Sequence, residues 1–192
     1  MKQVRLLLLA PLALAAFALP SVAAPQTSSP QGWKQTPKTD SSRGPSTRFT
    51  LTGKFLKPPH GEISNRPALN VDCGHSRRAG SSEGRFVAGN LFVGAPLKID
   101  YVEPSEIHGT SYYPKVKVRY RLDEGKEEKE DWTPGADKTS ATFTKEALEK
   151  MLRAKTVEIT MESADGSEIA VQFDVPDSTT LETACHTDVR KK

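Results

Sequence analysis

The chain has 192 residues, 27 basic and 24 acidic, with a formal net charge of +3, two cysteines and two tryptophans. Two of those positive charges, Lys2 and Arg5, sit in the first five residues, so the rest of the chain carries about +1 and shows no basic stripe of the kind that tracks a nucleic-acid backbone. Beyond the N-terminal apolar run no stretch has the length and apolarity of a membrane helix, which excludes a helical membrane protein once that run is removed.

Residues 1–23 read as a signal peptide. A basic start precedes the apolar run Leu6 to Leu19, and Ser21, Val22 and Ala23 supply small residues for cleavage after Ala23. The protein is therefore expected to be periplasmic or secreted. Residues 24–47 are rich in Ser, Pro, Thr, Gln and Lys, and such a segment buries too little apolar surface to offset chain entropy. It is expected to be a flexible linker, with Trp33 either incidental or a docking point.

Residues 48–189 are expected to form one mainly β domain. Apolar and polar residues alternate at Phe49–Leu51, Leu69–Cys73, Leu97–Tyr101 and, most clearly, Val116–Leu122, where Val116, Val118, Tyr120 and Leu122 face one way and Lys117, Arg119 and Arg121 the other. The charged run Glu124 to Asp131 reads as an exposed hairpin loop. Thr144 is a helix N-cap candidate, followed by Ala147, Leu148, Met151 and Leu152 at helical spacing. Val157–Met161 and Ile169–Val175 alternate on either side of the turn sequence Ser163–Ser167, which predicts a β-hairpin. A second, shorter helix after Pro176 would carry Cys185. Strands with one dry face need a second layer, so these elements predict a two-sheet antiparallel β-sandwich with one or two short helices.

Cys73 and Cys185 are the only cysteines, and an exported chain meets an oxidising compartment, so a single disulfide is expected. A rival reading uses Cys73, His75, Cys185 and His186 as a tetrahedral zinc set. Their spacing fits no zinc finger, and oxidation removes the thiolates, so no metal or other cofactor is predicted. His60 and His108 lie in turn-like stretches. The zinc-protease, phosphate-loop and dinucleotide motifs are not present in the sequence, which favours a non-enzymatic role.

Taken in order, several segments resemble the periplasmic accessory-protein family associated with type VI secretion systems. They are Pro67-x-Leu69-x-x-x-Cys73, then Val118-x-Tyr120-Arg121-x-Asp123-x-Gly125, then Trp132, Asp137 and Phe143, then a Leu-bearing helix, Phe173-Asp174 and a final helix with Cys185. The resemblance implies a non-catalytic envelope protein whose partner is another envelope protein. It draws attention to Trp132, as a partner anchor or as a cap on the core, and to Asp137, as the residue that fixes the turn before Thr139 to Phe143. Lys117, Arg119 and Arg121 form a candidate contact face for an acidic partner. The alternatives are an envelope enzyme or inhibitor acting on cell-wall material, and a purely structural disulfide-stabilised domain.

Overall fold

A computed structural model describes residues 32–40, 44–61, 65–76, 84–102 and 113–185. The strands are β1 (Lys34–Asp40), β2 (Gly44–Thr52), β3 (Lys54–Lys57), β4 (Ala68–Ser76), β5 (Gly84–Phe92), β6 (Asp100–Val102), β7 (Tyr113–Leu122), β8 (Glu127–Pro134), β9 (Ser140–Thr142), β10 (Thr156–Glu162) and β11 (Glu168–Asp174). Two helices, α1 (Lys145–Arg153) and α2 (Thr179–Cys185), complete the set.

The predicted alternation is seen in the burial of the strands. Along β7, Val116, Val118 and Tyr120 are buried while Lys117, Arg119 and Arg121 are exposed. The predicted hairpin pairs β10 with β11 from Thr156↔Asp174 to Glu162↔Glu168. Thr144 caps α1 by accepting a 3.1 Å hydrogen bond from the Ala147 amide, and Ala147, Leu148, Met151 and Leu152 are the residues that α1 buries. The single disulfide joins Cys73 on β4 to Cys185 at the end of α2. Its formation removes the thiolates that the zinc reading required.

All strands belong to one antiparallel sheet in the order β1-β2-β4-β5-β9-β8-β7-β10-β11-β3, with β6 beside β7. The expected division into two separate sheets is absent from the hydrogen-bonded ladder. Three-residue β9 bridges two halves by pairing with β5 on one side and β8 on the other. Inward residues of both halves, among them Phe49, Leu69 and Leu91 from one and Val118, Ile159 and Phe173 from the other, form one core.

The chain also links β3, at one end of this path, to β2, next to the other end, because the two strands are separated by Gly53 alone. β2 pairs with β4, whereas β3 pairs with β11, so the strand changes neighbours at this corner. A Cβ at residue 53 would lie 2.6 Å from the Phe173 ring and from the Gln172 carbonyl oxygen, which leaves room for glycine only.

Two segments depart from the sequence reading. Part of the expected linker, from Lys34 to Asp40 and from Gly44 onward, is the β1–β2 hairpin, and Trp33 packs against the core. Every β1 residue from Lys34 to Thr39 is exposed, so no apolar alternation marks the strand, and pairing with β2 alone holds it. The signal peptide, residues 24–31, His108 and His186 lie outside the described residues. The second departure is the charged run: only 123–126 make the turn, and Glu127 onward is strand β8, paired with β7 from Arg121↔Glu127 to Val116↔Trp132.

Candidate functional site

Strand alternation places Lys117, Arg119 and Arg121 on the outward face of β7, as expected. Register then brings acids to them. Lys117 Nζ lies 2.9 Å from Asp100, Arg119 2.6 Å from Glu168 and 3.8 Å from Glu127, and Arg121 2.5 Å from Glu158. Lys57 shares Glu168, Lys98 meets Glu162, and Lys115 meets Asp131. The face is thus a lattice of alternating charges and not a positive patch. Hydrogen bonds from Lys57 and Arg119 hold the Glu168 carboxyl below its usual range, and Lys117 does the same for Asp100. These pairs are exposed, so each stabilises the fold little.

A cavity of about 600 Å³ opens on this face, lined by Asp100, Lys117, Arg119, Lys129, Thr160 and Glu168 among others. Lys129 stands directly opposite Arg119 across the β7–β8 ladder. Among the described residues it has no acid within ion-pair distance, whereas every other cation of the lining has one. Two like charges placed opposite each other on a sheet repel. Lys129 is therefore the one lining cation without an ion-pair partner among the described residues, in a lining that holds four cations and five acids.

Trp132 lies elsewhere. It projects from the inner face of β8, is 1% exposed, and packs between Tyr120 and Phe143 with ring centroids 6.2 and 5.3 Å away. A residue so covered cannot anchor a partner without unfolding, so Trp132 belongs to the core and not to a contact face. Its Nε1 donates to Glu130 Oε2 at 3.1 Å. The other oxygen of Glu130 accepts the Tyr120 hydroxyl at 2.7 Å, and Glu128 lies 3.0 Å from the same hydroxyl. Lys150 and Thr144 from α1 and its cap close the group by donating to Glu128 and Glu130 respectively. Burial, followed by the two carboxylates, raises the Tyr120 pKa far above its ordinary value. The alternation of Glu128, Glu130 and Trp132 was the sequence signal for this cluster, concealed by the loop reading of the charged run.

Asp137 performs the turn role. Its Oδ1 accepts from the backbone amides of Thr139 and Ser140 and from Ser140 Oγ, at 3.0, 3.1 and 2.8 Å. Partial burial opposes ionisation, but these donors outweigh it and lower the pKa. Lys138, beside it, takes the left-handed conformation at φ 56°.

At the far end of the sheet, α2 docks through fully buried Leu181 and the disulfide. A second cavity, about 340 Å³, lies over the bridge and is lined by Lys38, Ser46, Thr47, Gly74 and Ala184 together with both cysteines. His60 is exposed, with Nδ1 3.5 Å from Asp165. Among the described residues no group of three or more His, Cys, Asp or Glu side chains is placed to hold a metal, and no helix is long and apolar enough to cross a membrane. No protein-family model matches the chain, and neither a curated protein nor a solved structure shows significant similarity to it.

Proposed function

We propose that this chain is a non-catalytic, exported module of the bacterial cell envelope that docks an acidic segment of another envelope protein, in the manner of the type VI secretion-associated accessory proteins its segment order resembles. The observation that carries the reading is Lys129, which stands opposite Arg119 in the cavity on the β7–β8–β10 face with no ion-pair partner among the described residues. An incoming carboxylate there would relieve the repulsion between Lys129 and Arg119 and would exchange with Glu168 for the Arg119 guanidinium. The surrounding ion pairs hold the side chains in place before a partner arrives, which lowers the ordering cost of binding. The disulfide and the export leader suit an oxidising compartment. In this reading the two halves of the sheet act as the layers of a sandwich, one presenting the charged cavity outward.

The test is crosslinking of the tagged mature protein in intact cells, followed by mass spectrometry. Wild-type protein is expected to capture a reproducible envelope protein, and Lys129→Glu to lose it with an unchanged melting temperature, since Lys129 has no ion pair among the described residues to forfeit. Capture that survives both Lys129→Glu and the triple change of Lys117, Arg119 and Arg121 to Glu removes this face. Capture of no protein at all removes the docking function.

A further inference from the structure

The disulfide stands in the wall of the cavity of about 340 Å³ at the β1–β2–β4 end of the sheet. Registers Pro37↔Thr47 and Thr47↔Cys73 set these three residues in one row on one face. Pro37 is exposed and Thr47 half-buried, so the row opens from Cys73 toward the free edge of β1. Cys73 and Cys185 are themselves only 5% and 4% exposed, so a reagent meets them through the cavity and not from bulk solvent. Exposed Pro45 and Ala184 belong to the same lining, and none of the lining residues is acidic, so no carboxylate there repels an incoming thiolate. We propose that the Cys73–Cys185 bridge is a thiol–disulfide exchange site, reached through this cavity by the thiolate of a dithiol, and that its opening unlatches α2. This role is separate from the docking of a protein on the β7–β8–β10 face.

The incoming thiolate attacks Sγ of Cys73, the cysteine whose row leads to the edge. A new sulfur–sulfur bond forms there, the Cys73–Cys185 bond breaks, and its electron pair leaves on the Cys185 sulfur, which takes up a proton. The second thiol of the reagent, ionised in its turn, attacks its own sulfur in the mixed disulfide and expels Cys73 as a thiolate, which is also protonated. The protein has then gained two electrons and two protons, and the dithiol has become a disulfide.

α2 is the element that responds. Among its described side chains Leu181 and Cys185 are buried, whereas Thr180, Thr183 and Ala184 are exposed. A helix of seven residues, three of them threonine, is too short and too poor in helix formers to persist alone. β4 does not depend on the bridge in the same way, because it is paired with β2 on one side and with β5 on the other. Reduction therefore leaves α2 docked through Leu181 alone and able to open without the sheet.

The experiment is reduction of the oxidised mature protein by dithiothreitol, in buffer and in guanidinium, with the freed thiols alkylated and counted by mass. If only global unfolding exposed the bridge, reduction in buffer would be slower than in guanidinium by about 1,000-fold or more. A smaller ratio is expected, and a ratio at or above that value overturns the exchange site. Ala184→Trp, at an exposed position of the lining, should slow reduction in buffer by about tenfold and leave the rate in guanidinium unchanged. An unaltered rate in buffer overturns the cavity route. A glutamate-specific protease then reads α2, since Glu182 is in that helix while Glu158 and Glu168 are in β10 and β11. Cleavage at Glu182 should accelerate about tenfold on reduction with the two strand sites uncut. No acceleration, or cleavage at all three sites together, overturns the unlatching of α2. Partner capture is measured on the oxidised protein, so the docking reading and this one fail independently.

Discussion

Replacing both cysteines by alanine should lower the melting temperature by a large and calculable amount. Cys73 and Cys185 are 112 residues apart, so their bridge removes the closure entropy of a long loop from the unfolded chain. The loop-closure expression gives about 5 kcal/mol at 25 °C as a ceiling, and natural bridges typically deliver about 2–4 kcal/mol once unfolded-state structure is included. Cysteine and alanine differ by little buried volume, and Leu181 still packs α2 onto the core, so the native contacts change little. A domain of this size unfolds with an entropy of about 0.3 kcal/mol/K, which converts that loss into a fall of about 6–12 °C. Scanning calorimetry of the oxidised protein and the double variant measures it directly. A fall below about 3 °C, equivalent to roughly 1 kcal/mol, would refute the reasoning. It would mean that β4 and the end of α2 are already held together in the unfolded ensemble.

Gly89→Ala should cost about 1–3 kcal/mol in a denaturant titration, because the new Cβ would lie 2.0 Å from Phe143 Cε2 in a packed core; a neutral result would mean that the ring moves aside freely. Tyr120 has a raised pKa, so its contribution is complete below the ordinary tyrosine value of about 10 and is lost at higher pH. Wild-type stability should therefore fall more steeply than that of Tyr120→Phe in melts above about pH 10, and parallel alkaline limbs would contradict the buried-phenol account. Asp165 is held at about 2 by hydrogen bonds from Ser163 Oγ and the Ser167 amide, and Asp123 is lowered by the amides of Thr156 and Lys155. Lowered carboxyl pKa values give stability that is present above about pH 4 and lost as pH falls toward 2, so Asp165→Ala should flatten the acid limb of a pH–melting curve. An acid limb of unchanged slope would show that the Asp165 turn contributes nothing to acid stability.

Where an element buries one face against the core, the sequence announces it. β7, β10, β11 and α1 alternate or recur with the correct period because each puts apolar side chains into one shared interior. β1 could not be read that way, since both of its faces are exposed and its stability comes from the backbone ladder to β2. β8 was concealed differently. Its inward positions Glu128 and Glu130 lie at the rim of the core, where Tyr120, Lys150 and Trp132 satisfy their carboxylates, so a polar residue occupies the place an apolar one usually marks. The basic face of β7 was visible, but its neutralisation was not, because the partners Asp100, Glu158 and Glu168 reach it only through strand pairing and side-chain placement.

The position of the disulfide also decides how the domain would carry load. If the chain is pulled from both ends, tension entering at the C-terminal side passes at Cys185 directly into Cys73 on β4. Everything between the two cysteines, including both helices' packing surfaces and strands β5 to β11, sits in a covalent side loop that bears no force. Only the segment ahead of Cys73 can be paid out, about 40 residues and so about 140 Å of extended chain. With the bridge reduced, the whole domain becomes extensible, and the released length rises to about 500 Å. The bridge is thus a mechanical shunt as well as a thermodynamic staple, and every residue that lines the charged cavity lies inside the loop it shields.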